Sequence, residues 1–329
     1  MINSIKTLLA TSNLSETLYK WMSKKALFAH PVYAFFYRAQ INRIYKKFSP
    51  FPPVISIETT NFCNARCSIC PYPSMKRKKG FMKPQVFEKI ANELKTHRKH
   101  IQTVFLSGFG EALTDKRLEH FIKILKEYKI RQTAIVTNAS LLSKERAIKL
   151  TEAGLDELHI SIDGGDKETY NAIRKGLSFE KVYNNLKALS TLKRKPEIFL
   201  KLVLTRKNKS SVNQFRKRFS QLADRIFIRF FQDWHGGVEK EQVYTPHKNV
   251  NPFHPCIYLF KTINIYFDGT VPLCCLDYEA QVKMGNILEN SIEDIWHGKM
   301  FNFYRRMHLR KKRNSLTLCS TCNYFPVWW

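Results

Sequence analysis

Two hydrophobic rhythms alternate along most of this chain. From residue 51 onward, short runs rich in β-branched and aromatic residues, such as Val54-Ile55-Ser56-Ile57, give way to stretches whose apolar positions return every three or four residues. The short runs predict strands over 54–59, 102–106, 131–136, 157–162, 197–204 and 225–231. The longer ones predict helices near 84–97, 115–128, 143–153, 179–192 and 211–223. Lys83-Pro84 and Thr114-Asp115 read as helix starts, since proline in a first turn forfeits no hydrogen bond, and Gly154 reads as a stop. Strand–helix alternation folds as a parallel sheet with helices outside. Six such units are too few for a closed eight-stranded barrel, and an open doubly wound sheet fits the same periodicity.

The flanks read differently. In residues 1–50, Leu14, Leu18, Trp21 and Met22 share one helical face, as do Tyr33, Phe36, Tyr37, Ile41, Ile44 and Tyr45, which predicts two amphipathic helices broken at Pro31. Only Glu16 is acidic there, against eight Lys and Arg. This helical extension reads either as a cap on the main domain or as a face for an anionic membrane. On the membrane, Trp21, Phe28, Phe35, Phe36 and Tyr37 would insert while Lys20, Lys24, Lys25, Arg38 and Arg43 met the headgroups. The longest apolar run, about 26–37, is too short to span a bilayer, which takes about 20 residues. After Asp233-Trp234-His235-Gly236-Gly237 the alternation stops, and 238–256 looks like a linker. The expected division is therefore 1–50, 51–235 and 236–329.

Composition changes the picture in two ways. Apolar content is ordinary for a globular protein at 44%, but the net charge is +28, with basic clusters at 76–79, 193–195, 206–218 and 305–313. Solvated faces absorb part of that excess; the rest points to an anionic partner such as a phosphorylated substrate, an acidic peptide, a membrane surface or nucleic acid. The eight cysteines fall in close groups and no secretory signal precedes them, so they read as metal ligands in a reducing cytoplasm.

After the first strand comes Asn61-Phe62-Cys63-Asn64-Ala65-Arg66-Cys67-Ser68-Ile69-Cys70-Pro71, with three thiols spaced C-x3-C-x2-C. A structural zinc takes four ligands and a [4Fe–4S] cluster has four irons, so three thiolates leave one iron open to something that is not protein. The nearest histidines, His97 and His100, lie beyond a predicted helix. A zinc borrowing a distant ligand, or thiols packed as small hydrophobes, would use the same residues.

The spacing resembles the signature of the radical SAM superfamily. There S-adenosylmethionine (SAM) chelates the open iron, and the reduced cluster cleaves it to a 5′-deoxyadenosyl radical that takes a hydrogen atom from substrate. Other strand ends match in order. Gly108-Phe109-Gly110-Glu111 is similar to the family's G-G-E motif, which implies close backbone approach at Gly108 and Gly110 and an ammonium acceptor at Glu111; Ala112 stands where proline is usual. Thr137-Asn138-Ala139 is similar to the polar strand end near the ribose, implying Asn138. Ser161 and Arg174 match the pair that holds the SAM carboxylate in the sulfatase-maturase-like branch, where a guanidinium fork suits a carboxylate. Ile69 stands where an aromatic often lies by the adenine. Taken singly, these residues also read as a tight turn, a strand-end cap and a surface charge. The resemblance covers residues 54 to about 205 and implies an α/β partial (β/α)6 TIM-like barrel, its site at the C-terminal strand ends.

A second group comprises Cys256, Cys274, Cys319 and Cys322. Their arrangement resembles the small SPASM/Twitch extensions of that superfamily and implies an auxiliary [4Fe–4S] cluster; a zinc ribbon would use the same four. Ile263 to Val271 reads as a hairpin turning at Asp268-Gly269. Cys275 is surplus and reads as a buried thiol, an alternative ligand or a reactive group facing substrate. It stands where the sulfatase maturases carry an Asp proposed as base, and the nearest acid is Asp277; that base does not transfer, and no catalytic residue is assigned beyond Asp277 and Cys275 as candidates.

The reading is a radical SAM enzyme that oxidises or modifies an anionic substrate, either a sugar- or aminocyclitol-like molecule or a peptide, with nucleic acid not the expected partner. Flavodoxin or ferredoxin is the expected reductant, and the expected place is the cytoplasm with at most peripheral membrane contact. The alternative is a basic, zinc- or iron-bearing protein that binds nucleic acid without catalysis.

Overall fold

The computed structural model describes residues 35, 39–43, 46, 50–238 and 255–322. Strands and helices alternate as the two rhythms predict: β1 (Val54–Ile57), α1 (Pro84–Thr96), β2 (Thr103–Leu106), α2 (Leu118–Glu127), β3 (Thr133–Thr137), α3 (Lys144–Glu152) and β4 (Glu157–Ser161). Then follow α4 (Lys167–Ile173), α5 (Phe179–Ser190), β5 (Glu197–Leu204), α6 (Val212–Phe219) and β6 (Arg225–Phe230). Proline opens α1, and the side chains of Ser143, Asp166 and Ser178 accept backbone N–H groups at the starts of α3, α4 and α5.

All of these strands run parallel, in the order β6-β5-β4-β3-β2-β1, as an open partial barrel. A seventh strand, β7 (Thr262–Ile265), lies parallel to the free side of β1. Alternation sorts the two faces. Ile55, Ile57, Val104, Leu106, Ile160, Leu200 and Leu202 pack outward against Phe87, Phe121, Leu186 and Phe215 of the helices in one continuous core. Ser56, Phe105, Val136, Ser161, Lys201, Val203 and Phe227, on the opposite face, are only partly buried.

The C-terminal region adds a strand to the main sheet: after α7 (Tyr258–Lys261), β7 pairs with β1. The expected hairpin is rewired. The turn exists, with Tyr266 N–H donating to Thr270 O at 2.8 Å and Gly269 at φ +86°. Yet β8 (Thr270–Pro272) pairs antiparallel with β9 (Lys283–Asn286), not with β7. β7 instead ends the main sheet, in a parallel ladder with β1. Helices α8 (Ile292–His297) and α9 (Lys299–Leu309) complete the region, α8 opening with a Ser291/Asp294 capping box.

Most of the proposed N-terminal helices, including Trp21, Phe28, Phe36, Tyr37 and Lys20, lie outside the described residues. Of the rest, Ile41 is fully buried in the main core and Phe35 is exposed. Among the described residues no helix is long and apolar enough to cross a membrane.

Candidate active site: two cysteine groups and the face between them

Cys63, Cys67 and Cys70 occupy the loop beyond the C-terminal end of β1, and several elements hold that loop in place. Cys63 N–H donates to the Tyr72 hydroxyl at 3.0 Å, and Ser68 N–H to Ile173 O at the end of α4 at 2.9 Å. Asn64 bonds both Asn138 and Ser140 beyond β3, at 3.0 and 2.8 Å. The Trp234 indole donates to Ile69 O at 3.0 Å, from a backbone in the left-handed region at φ +53°. The three cysteines share a small apolar cluster with Ala65, Ile69, Ile173 and Phe231. Burial pushes the Cys63 thiol up to about 11 and Cys70 to about 12, so iron binding must displace protons from both.

The residues expected around SAM gather at the same end of the barrel. Arg174 ends α4, pairs with buried Asp163 beyond β4, and brings Nη1 to 3.7 Å from Cys67 Sγ. Its Nε and the hydroxyl of fully buried Tyr170 have no partner among the described residues. Buried donors left unpaired beside three thiols are costly unless a ligand meets them, and SAM on a thiolate-bound cluster fits that need. Glu111 is also buried: Oε1 accepts from Thr137 Oγ1 (2.5 Å) and Leu113 N–H (3.2 Å), and Oε2 from Asn138 N–H (2.7 Å). Three of its roughly four acceptor positions are used within the protein, leaving one for a ligand. Ser161 stands at the end of β4 with no side-chain bond to these groups.

The glycines serve the protein before any ligand. A Cβ on Gly108 would meet Glu58 Cγ at 2.4 Å, and one on Gly110 would meet the carbonyl oxygens of Phe62 and Thr60 at 2.6 Å. Close approach is needed here as expected, but between β2's end and the chain leaving β1.

In the C-terminal region Cys256, Cys274, Cys275, Cys319 and Cys322 are electrostatic neighbours, and burial raises Cys256 to about 11 and Cys275 to about 12. Buried Arg313 ties the C-x2-C turn by donating to Cys319 O (3.0 Å) and Cys322 O (2.7 Å). Cys256 N–H donates to His308 Nδ1 at 3.1 Å. Such an all-thiol donor set suits an iron–sulfur cluster. Among the described residues no three His, Cys, Asp or Glu side chains converge as ligands of one ion. Asp277, a catalytic candidate from the sequence, is buried, and its oxygens accept Gln281 N–H (2.8 Å) and Val282 N–H (3.0 Å), which fastens the carboxylate to its own loop.

The radical SAM superfamily model matches residues 57–217, and the SPASM iron–sulfur cluster-binding domain model matches residues 256–323. This chain belongs to the radical SAM superfamily. A relative from Niallia circulans, the S-adenosyl-L-methionine-dependent 2-deoxy-scyllo-inosamine dehydrogenase, is 25% identical over 83% of this chain and 94% of its own. The crystal structure of BtrN in complex with AdoMet and 2-DOIA superposes with a TM-score of 0.60 at 21% identity, over 83% of this chain and 94% of that one. Streptococcus suis SuiB bound to precursor peptide SuiA gives 0.64 at 14%, over 86% and 73%. The protein is a radical SAM oxidoreductase or modifying enzyme with SAM and iron–sulfur clusters as cofactors, and the nucleic-acid-binding alternative is not favoured.

Several parts of this radical SAM enzyme escaped the motifs. Asp163, Tyr170 and Trp234 belong to no cysteine pattern, although Asp163 could be seen in Ser161-Ile162-Asp163. The concave face of the barrel was illegible. Phe105, His159, Phe199 and Phe227 line it as successive ring contacts, with centroids 5.3, 4.5 and 5.8 Å apart. Lys201 stands level with Phe227, and Arg229 lies two residues further toward the C-terminal end of β6. The C-terminal region bridges from β7 to the other edge strand, β6: the charge of Arg229 reaches Cys275, and Gly237 lies against the Tyr278 ring.

Proposed function

We propose that this enzyme oxidises an alcohol- or amine-bearing carbon of a small polar substrate held on the concave face. One observation carries the reading: a three-thiol loop, which leaves one iron of a four-iron cluster without a protein ligand, shares the open barrel with a second, fully cysteinyl group. The bound cofactors would supply the radical that removes a hydrogen atom and an acceptor for the second electron. Cys63, Cys67 and Cys70 hold the first cluster; Cys256, Cys274, Cys319 and Cys322 hold the auxiliary one, with Cys275 beside them. Glu111 offers its remaining acceptor position to the SAM ammonium, Arg174 and Ser161 face its carboxylate, Asn138 the ribose, and Ile69 packs near the adenine. The end-to-end match to the dehydrogenase supports a small-molecule substrate. A peptide is the second reading, favoured by the fold likeness to SuiB. The enzyme works in the cytoplasm with a flavodoxin or ferredoxin as reductant, and its basic N-terminal segment allows peripheral contact with anionic membranes.

The test is anaerobic reconstitution followed by dithionite and SAM. About eight irons per chain and formation of 5′-deoxyadenosine are expected, from two four-iron clusters. Cys67→Ala should abolish 5′-deoxyadenosine and halve the iron, whereas Cys319→Ala should lower iron and keep uncoupled SAM cleavage. Deoxyadenosine formation by Cys67→Ala would overturn the assignment.

A further inference from the structure

Two cations on the concave wall of the barrel have no counter-ion among the described residues. Lys201 lies on β5 opposite Phe227 of β6, and Arg229 lies on β6 opposite Val203. They are thus diagonal neighbours on one face, about 8 Å apart at Cα from a strand spacing of about 4.8 Å and a rise of about 3.3 Å per residue. Neither makes an ion pair or side-chain hydrogen bond among the described residues. The acid nearest to Lys201 in charge, Glu157, is already held by His159 Nε2 at 2.7 Å and Gln132 Nε2 at 3.1 Å. Lower on the same strands, Arg225 is paired with Glu197 at 2.8 Å. The excess positive charge is therefore confined to the upper wall, beside Ser161 and toward Cys275.

We infer that Lys201 and Arg229 form an oxyanion subsite that anchors a phosphate or carboxylate group of the substrate. This deepens the proposed function and rests on it: the substrate is an anionic polyol or amino-polyol, its charged end on β5 and β6 and its reacting carbon toward the cysteine loop. Lys201 is half-buried and Arg229 exposed, so the two like charges repel while the amine also loses solvation; a bound oxyanion offsets both penalties and accepts hydrogen bonds from the ammonium and the guanidinium fork. The strain is visible in Lys201, whose amine burial and the Arg229 charge push down to about 7. An anion bound there would restore the proton, so ligand and amine protonation are linked.

The experiment is residue-resolved reductive methylation of lysines in the anaerobically reconstituted full chain at neutral pH, read by peptide mass spectrometry. Methyl phosphate, acetate and chloride are compared at matched ionic strength, with SAM alone as a further arm. Methyl phosphate or acetate should lower Lys201 labelling several-fold relative to chloride, while exposed Lys116 reports an unchanged fold. Protection by methyl phosphate above acetate assigns a phosphoester, and the reverse assigns a carboxylic acid. Arg229→Gln should abolish the protection. Equal labelling in all three salts, protection retained in Arg229→Gln, or protection by SAM alone would overturn the subsite. Uncoupled SAM cleavage by the wild-type preparation is measured alongside: its absence overturns the radical reading, whereas the labelling result bears on the subsite alone.

Discussion

His159 lies flat against Phe199, with planes 4° apart, and edge-on to Phe105, so its ring is part of the barrel's aromatic floor. Burial pushes its pKa down from 6.5 to about 4, outweighing the help of Glu157, and Nδ1 has no partner among the described residues. The unfolded chain binds a proton near pH 6.5 that the folded chain refuses until about 4. Stability from this residue is therefore full above pH 6.5 and is lost as pH falls toward 4, by an amount on the order of 3 kcal/mol. His159→Phe keeps the stacking and removes the proton. Its apparent unfolding midpoint should vary less with pH across that window than wild type's, and an equally steep acid limb would refute the assignment. Part of the large positive charge is likewise internal at this scale: Arg77, Arg174, Arg305 and Arg313 are largely buried against acids and carbonyl groups. The chain's basic clusters looked like solvated faces because sequence does not say which cations turn inward.

At the scale of elements, the end of β1, the end of β2 and the 76–80 loop form one unit. Arg77 donates bidentately to Glu58, at 3.0 and 2.9 Å, lies over the Tyr266 ring at 3.7 Å, and donates from Nε to Tyr278 O at 2.6 Å. Glu279 returns the contact by accepting the N–H groups of Lys76 and Arg77. The loop after the first cysteines is thereby fastened to the C-terminal region. Arg77→Met leaves a carboxylate buried without its partner, and a loss of about 3–5 kcal/mol is expected in denaturant unfolding. Gly108→Ala drives a methyl group into Glu58 and should cost about 1–3 kcal/mol. A Gly108→Ala protein as stable as wild type would show that Glu58 has room to move.

At the scale of the molecule, β7 is a strand of the barrel, and the segment following it carries Cys274 and Cys275. The C-terminal region should therefore melt with the barrel. Cys319→Ala is expected to lower the midpoint of a single cooperative calorimetric transition, since loss of a cluster removes binding free energy from the same cooperative unit. Two separated transitions in the variant would show that the region unfolds alone.

What sequence by itself determined is local and periodic. The strands from β1 to β6 and the helices between them follow from side-chain period and caps, both set by neighbours along the chain. The grouping of the cysteines was legible for the same reason: a loop of eight residues from Cys63 to Cys70 keeps its ligands together however the rest folds. Tertiary structure decided what depends on partners far away. It seated β7 on the open edge of β1, where a parallel ladder satisfies backbone groups of both strands, and paired β8 with β9. It spent Asp277 on its own loop, paired Arg174 with Asp163, and set Lys201 and Arg229 together on one wall without an acid between them. Charge is written in the sequence, but which charges meet is settled only when the sheet curls.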